Sequence, residues 1–407
     1  MATTEIIETA PLHGIDLTVA APVLPSQRPA PVVQVSAALL DPAGALATEP
    51  GSSGTVSGWR DIGDYHVPPL LNPALPEQAA KRQQLAAEGV EIVTALQKAA
   101  EEHRVAGRGF QRKTLYVTTT AEFRVPANLP HELEAGPFKA GARHRAILRF
   151  SNADPTDRPD TAKDQRAVGV RITDDSGRVQ DLTFTSGSAA NHARGAKQFN
   201  SSMRAGVHMA GGGIGGRLRG LVSLLLREGI GETIRMSRAR KAAVDQQKSL
   251  AALTFYSRSP LELGRKLVHL ALIPLEKTPA ELVHEAQGAR DGLGRDLCAR
   301  RSAGDVRFRI GAAEAPGLED MTAVPHRPWV TVGEVILPMQ RTSEAEMLAA
   351  AAQVHAALAM HPFNRWEEGA LTPRGELNEI LRKPVYAASA ANSGRKDTPP
   401  ATPQYGI

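Results

Sequence analysis

The stretch that decides the fold is residues 144–184, HRAILRFSNADPTDRPDTAKDQRAVGVRITDDSGRVQDLTF. Its segments 144–151, 167–173 and 179–184 are apolar and β-branched, which is typical of strands. The DDSG sequence at 174–177 separates the last two segments by a tight-turn signal. We therefore predict an antiparallel hairpin over 167–184, with a third strand before it.

The neighbouring segments extend this pattern in both directions. Further strands are predicted at 115–125, 306–310 and 329–336, and helices at 78–102, 344–360 and 375–386. The strands come in a run and do not alternate one by one with helices. This order favours the α+β class with an antiparallel sheet or barrel.

Composition narrows the class of protein. The 407 residues include nine Phe, five Tyr, three Trp and a single cysteine, Cys298. One cysteine excludes an intrachain disulfide and any metal site that needs several thiolates. No segment reaches the ~20 apolar residues of a membrane span. The first basic residue is Arg28, so the N-terminus does not resemble a secretory signal. We expect a cytoplasmic protein.

Three regions differ in composition. Residues 1–58 contain no aromatic side chain and are predicted to be a disordered extension, and the segment 391–407 a disordered tail. The folded domain is then 59–390, with a basic helical insertion at 204–245. Residues 204–241 hold eight Lys or Arg against two Glu, a net charge of +6 that exceeds the +5 of the whole chain.

The basic segment 217–241 alternates apolar and Arg residues at helical spacing. One interpretation is a helix that makes peripheral contact with an anionic membrane or steers a lipid-like substrate. The other, which the sequence favours, is a solvated cationic face over a packed apolar stripe. Nucleic acid is not expected as a partner, because no aromatic residues are interleaved for base stacking.

The most informative pair is Arg382 and Tyr386, which share a helix face if 375–386 is helical. A protonated phenol is a poor metal ligand, and a neighbouring guanidinium favours the phenolate. A Tyr–Arg pair is therefore what a tyrosinate-ligated iron requires, as in a catalase haem site. Pro384 lies between the two residues and would disturb a regular helix.

Several motifs occur in the order found in one family. RFSN at 149–152 is followed by DTAKDQRAVGVR at 160–171, by Gly177, and by Asp181 with its following Leu. Further motifs are AEFRVP at 121–126, LPHEL at 129–133, FYSRSP at 255–260 and PRGELN at 373–378. This series resembles the catalase superfamily, and within it the smaller catalase-related haem proteins, over roughly 105–390. The resemblance implies an antiparallel barrel with flanking helices.

The resemblance also implies a haem b site. Tyr386 would be the iron ligand, and Arg382 would hold it as the phenolate. Arg149 matches the Arg that pairs with a haem propionate, and Arg108 is a second candidate for that role. Catalase-like relatives often form homo-oligomers, so one is expected here by analogy.

Two positions depart from the family pattern. The distal histidine falls on Gln111 or a neighbour, and the distal asparagine falls near Ser186, with Asn191 as an alternative. A glutamine can orient a peroxide but cannot move its proton as a histidine does. His192 is a candidate substitute that the sequence cannot place.

Two functional hypotheses follow. The first is a haem-dependent oxidoreductase that acts on a peroxide or an organic hydroperoxide, such as a fatty-acid hydroperoxide, with little true catalase activity. In it Gln111 and Ser186 orient the substrate and Arg382 sets the charge of the iron ligand. The second is a non-catalytic haem-binding protein, or a degenerate catalase-fold protein, with a sensing or membrane-surface role.

Overall fold

The computed structural model describes residues 56–102, 110–154, 158–186, 193–210, 213–242, 244, 248–318, 329–367 and 370–393. The predicted extension at 1–58 and tail at 391–407 lie almost wholly outside these residues. Arg108, Asn191 and His192 also lie outside them. The roles predicted for these regions and residues therefore stay predictions.

The described residues form ten strands and six α-helices, and a π-helical turn at Leu377–Arg382 leads into the last helix. The strands are β1 (Lys113–Arg124), β2 (Arg143–Asn152), β3 (Arg166–Thr173), β4 (Val179–Ser186), β5 (Phe255–Tyr256), β6 (Leu261–Leu263), β7 (Lys266–Pro274), β8 (Val306–Glu314), β9 (Val330–Leu337) and β10 (Ala370–Pro373). The helices are α1 (Ala79–Glu102), α2 (Ala196–Ala210), α3 (Gly213–Ala242), α4 (Gly292–Ala303), α5 (Glu344–Ala357) and α6 (Lys383–Asn392).

Eight of these strands close into an antiparallel barrel. The order around the ring is β7-β5-β4-β3-β2-β1-β9-β8, and pairing of β7 with β8 completes it. Strands β6 and β10 extend the sheet beyond β7. The predicted α+β class and antiparallel barrel with flanking helices are thus confirmed.

The predicted hairpin is the β3–β4 pair. Gly177 has φ +84°, which its missing Cβ permits, and its N–H donates to the carbonyl of Asp174 at 3.1 Å. The strands then pair in register from Thr173 opposite Val179 to Ala167 opposite Thr185. The turn residues therefore set which side chains of β3 and β4 share a face.

The barrel interior is filled by the alternate apolar side chains of its strands. Phe150 of β2 is fully buried, and its ring lies 5.9 Å from Phe255 and 6.4 Å from Phe308, on strands elsewhere around the ring. An interior packed in this way has no room for a large ligand.

Helices α1, α2, α3 and α6 form a layer over the outer face of β2–β4. Helix α1 packs against α2 and α6, and α2 packs against α3. Within the part of the chain that the structure describes, no helix is both long and apolar enough to cross a bilayer.

Candidate functional site

A cavity of about 890 Å³ lies between the outer face of β2–β4 and the helical layer. The strands line it with two rows of paired residues: Arg149, Gly169 and Thr183, then Ser151, Ala167 and Thr185. Met360 occupies the space over Gly169, where a Cβ would lie 3.0 Å from its sulfur. The helices line it with apolar side chains, namely Leu96, Phe199, Met203, Leu377, Leu381 and Val385. Its volume lies in the range of small-molecule and cofactor sites.

The structure brings the predicted pair Arg382 and Tyr386 to the cavity wall. The Nη2 of Arg382 donates to the Tyr386 hydroxyl at 3.0 Å, and its Nη1 donates to Oδ1 of Asn378 at 3.1 Å. Asn378 is fully buried and donates to the carbonyl of Arg374 at 2.7 Å. The guanidinium is therefore held between a buried amide and the phenol.

Pro384 accompanies a disturbance of the regular helix, as the sequence indicated, but it does not end the helix. Helix α6 begins at Lys383, so Pro384 lies in its first turn. The helical backbone runs from the π-helical turn through Arg382 into α6 without a break, and proline supplies no N–H for an intrahelical bond at this junction. The preceding turn, Leu377–Arg382, is π-helical, a local geometry that is frequent at functional sites.

Gln111 lies two residues before β1 and lines the same cavity. Its φ is +50°, in the left-handed region that a non-glycine residue rarely adopts. Arg149 holds this conformation, because its Nη2 donates to the Gln111 carbonyl and its Nε donates to the Thr114 hydroxyl, each at 2.8 Å. Backbone strain of this kind persists where the surroundings over-determine it, often at functional sites.

The side-chain oxygen of Gln111 is buried without a hydrogen-bond partner among the described residues. The hydroxyl of Thr185 is in the same state, and both residues line the cavity. Buried polar groups are seldom left unsatisfied, and each exception calls for an explanation. A bound polar group in the cavity would satisfy both.

The structure does not bring Ser186 to the cavity. Ser186 is fully buried at the end of β4, and its hydroxyl accepts from the backbone N–H of Arg166 at 3.0 Å. Side chains alternate along a strand, so Ser186 shares the inward face with Leu182 and Phe184. The outward position next to it is Thr185, which takes the place that the sequence prediction gave to Ser186.

Sequence analysis missed His361, which also lines the cavity. Its ring centroid lies 6.0 Å from that of Tyr386, and its Nδ1 accepts from the N–H of Phe363 at 3.2 Å. The neutral ring therefore carries its proton on Nε2. The backbone N–H of His361 donates to Asp181 at 3.0 Å, so β4 positions this segment across a long sequence separation that no local spacing reveals.

The cavity is strongly cationic. Two carboxylates, Asp154 and Asp164, line it against seven arginines, namely Arg112, Arg149, Arg158, Arg217, Arg240, Arg258 and Arg382. Burial lowers the pKa of Arg112 to about 10 against the opposing charges of the two carboxylates. Burial alone lowers the pKa of Arg258 to about 10. Burial also raises the pKa of Asp164, against the hydrogen bonds that its carboxylate accepts from backbone N–H groups. Such a lining favours an anionic ligand.

Cys298 takes no part in this site. It is buried in the barrel core cluster, and burial raises the pKa of its thiol to about 11. It therefore behaves as a small hydrophobic residue and not as a thiolate ligand. Among the described residues, no group of three or more His, Cys, Asp and Glu side chains is arranged to hold a metal ion. The side chain best suited to a ferric ion in the cavity is the Tyr386 phenol.

No family model and no curated protein matches this chain. Among solved structures, a bacterial catalase matches at 15% identity with a TM-score of 0.44, over 72% of this chain. The chain spans 59% of that catalase's length. Catalase A from Saccharomyces cerevisiae matches at 13% identity with a TM-score of 0.50, over 84% of this chain and 67% of its own. The likeness to the yeast enzyme concerns the fold, and with the closed barrel it shows that this chain has a catalase-like fold.

Proposed function

We propose that this chain binds haem b in the cavity, with Tyr386 as the iron ligand, and acts as a haem-dependent oxidoreductase. The observation that carries the proposal is the Tyr386 hydroxyl in the cavity wall, hydrogen-bonded by Arg382 at 3.0 Å. A hydrogen bond from a guanidinium stabilises the negative oxygen that a ferric ion binds. The catalase-like fold supports the same assignment.

The residues present fit haem. The apolar side chains from α1, α2, the π-helical turn and α6 would suit the macrocycle of a haem. Arg149, Arg112 and Arg258 carry charges of the sign that the two propionates need. Arg108 stays a prediction for this role. When bound, haem iron with a tyrosinate ligand would supply the redox chemistry for O–O bond cleavage.

The substrate class is a peroxide or an organic hydroperoxide, fatty-acid hydroperoxides included. The Gln111 amide can accept from or donate to a peroxide oxygen, and the Thr185 hydroxyl can do the same. Neither group titrates near neutral pH, so neither can move a proton between the two oxygens as a general base and then acid. Orientation without proton shuttling predicts slow disproportionation of hydrogen peroxide.

The second candidate function is a non-catalytic haem-binding or degenerate catalase-fold protein with a sensing or membrane-surface role. Two observations favour it: the glutamine at the distal position, and the exposed apolar residues of α3. A homo-oligomer is compatible with either function. The two candidates differ in whether the loaded protein turns over a hydroperoxide.

The absorption spectrum of the purified protein tests haem binding. The wild type should show a Soret band, and Tyr386→Phe should lose most of it at equal protein concentration. Tyr256→Phe is the matched control, because Tyr256 lies on β5 and does not line the cavity. A wild type that stays colourless after incubation with haemin, or a Tyr386→Phe variant with an unchanged spectrum, refutes the assignment.

Two turnover assays then separate the candidates. Loss of conjugated-diene absorbance from a fatty-acid hydroperoxide reports the proposed reaction, and oxygen release from hydrogen peroxide reports catalase activity. Gln111→His should raise oxygen release above that of the wild type. If the haem-loaded wild type consumes neither substrate, the non-catalytic candidate is supported instead.

A further inference from the structure

Helix α3 carries an unusual concentration of exposed apolar side chains. Of the eleven large hydrophobic residues exposed in the described chain, seven belong to α3: Ile214, Leu218, Leu221, Val222, Leu226, Ile230 and Ile234. The most exposed are Ile214 at 86%, Leu226 at 83% and Ile230 at 71%. Exposed apolar groups clustered in this way mark an interaction surface.

Four of these side chains share one face of the first half of α3. Residues 214, 218, 221 and 222 lie within about 100° of arc on a regular helix. Gly229, at φ +78° and ψ 172°, then breaks the helical geometry, and residues 230 and 234 follow at a four-residue spacing on the second half. We call the seven residues the α3 stripe.

The part of the chain that the structure describes leaves the α3 stripe largely exposed. The opposite side of α3 packs on α2, where Leu224 and Met236 are buried with Ala205. Gly220 sits so close to α2 that a Cβ there would lie 2.8 Å from the Ala205 carbonyl oxygen. The solvated cationic face over a packed stripe, which the sequence favoured, is therefore wrong, because much of the apolar surface faces outward.

The charges on α3 agree with an anionic partner. Arg227 and Arg235 pair with Glu88 and Glu232, respectively. Five other cations make no hydrogen bond or ion pair with any described residue: Arg217, Arg219, Arg238, Arg240 and Lys241. Arg217 and Arg240 line the cavity, and burial lowers the pKa of Arg240, so Arg219, Arg238 and Lys241 are the cations available to a partner outside. Unpaired arginines and lysines beside an apolar face are the signature of a helix that lies in a membrane interface.

From these observations we propose that the α3 stripe docks this protein on a bilayer that contains anionic lipid. The stripe would enter the boundary between headgroups and acyl chains, and Arg219, Arg238 and Lys241 would meet the lipid phosphates. A second copy of this chain fits the α3 stripe less well than a bilayer does. A two-fold interface would bring the cations of the two copies together, where they would repel each other. Helix α3 contains no aromatic residue, which disfavours single-stranded nucleic acid.

Docking through α3 would also place the cavity at the membrane. Arg217 and Arg240 belong to α3 and line the cavity, so the same helix borders both surfaces. An amphipathic anion could then pass from lipid to cavity without crossing bulk water. The docking itself does not depend on haem, so its test stands apart from that of the proposed function.

Vesicle sedimentation of the full chain tests the proposal. The protein should pellet with vesicles of phosphatidylcholine and phosphatidylglycerol, and much less with phosphatidylcholine alone. High salt should release it partly, because salt screens the cations but not the apolar insertion. Leu226→Ser and Ile230→Ser should each weaken binding about tenfold, given the transfer free energy of such a side chain. Arg219→Gln and Arg238→Gln should each weaken it about fivefold.

Leu348→Ser is the matched control, because Leu348 is an exposed leucine on α5. It should leave vesicle binding unchanged. The proposal fails if the wild type pellets with neither vesicle, or if Leu348→Ser weakens binding as much as Leu226→Ser. It also fails if light scattering shows a dimer that Leu226→Ser converts to a monomer while no vesicle is bound. The stripe would then be an interface between copies.

Discussion

Asp181 ties the segment that carries His361 to the barrel. Its carboxylate accepts from Nε and Nη2 of Arg171 at 2.7 and 2.6 Å, and both side chains are fully buried. It also accepts from the N–H of His361 at 3.0 Å and from Nδ2 of Asn364 at 2.9 Å. Replacement of Asp181 by Asn keeps the shape and removes the charge.

The expected loss of stability is large. Asp181→Asn leaves the Arg171 guanidinium buried beside a neutral amide, and breaking a buried pair in this way costs about 3–5 kcal/mol. For a chain of this length, that loss corresponds to a fall in Tm of about 4–7 °C. The exposed pair Arg124 and Glu122 gives the control, because Glu122→Gln should cost less than about 1 kcal/mol.

Denaturant unfolding and hydrogen exchange measure the two effects. Asp181→Asn should also reduce protection of the His361 amide, which loses its charged acceptor. The double variant Arg171→Met with Asp181→Asn should recover a large part of the stability, since no charge then stays buried. A loss below 1 kcal/mol for Asp181→Asn, or a double variant no more stable than the single one, would refute the reasoning.

Three further predictions follow from other sites. Cys298 should react slowly with iodoacetamide in the native protein at pH 8 and fully after unfolding, because burial raises its pKa to about 11; rapid native labelling would contradict this. Burial disfavours ionised Glu88, but hydrogen bonds from Arg227 and Arg204 outweigh it and lower the pKa. Glu88 therefore stabilises the fold above pH 4.5, and its advantage over Glu88→Gln should vanish as pH falls through the lowered pKa. Gln111→Gly should stabilise the protein by about 0.5–1 kcal/mol in thermal unfolding, because glycine relieves the positive φ. An unchanged or lower Tm would count against strain at this position.

Strands with a strong local signal could be predicted from the sequence, and strands defined by pairing could not. β3 was predicted because its apolar and β-branched run ends in a DDSG turn. β5 and β6 have two and three residues and exist because β7 pairs with them. β10 has four residues and pairs with β6, which lies about one hundred residues earlier in the chain. Segments this short carry too little periodicity for a sequence to reveal them.

The residues of the candidate site also fall into those that a local pattern predicts and those that distant contacts position. The Arg382–Tyr386 contact was predictable because a four-residue spacing fixes it locally. The sequence prediction of Ser186 was off by one residue. Consecutive side chains of a strand point to opposite faces, so Thr185 lines the cavity and Ser186 does not. His361 was not predictable, since its place in the cavity depends on Asp181, which is distant in sequence.

The location of the cavity follows from how the barrel is packed. Phe150 and its neighbours pack the interior, and β2–β4 line the cavity mainly with outward-facing residues such as Arg149 and Ala167. The remaining walls come from helices that polar contacts such as Asn200 to the Leu85 carbonyl hold together. A ligand that contacts both the strands and the helices stabilises the packing of the helical layer on the barrel. The helices should gain most protection, because they open more readily than the barrel strands. Ligand binding in this cavity should therefore protect α2 and α6 from hydrogen exchange far more than it protects the barrel strands.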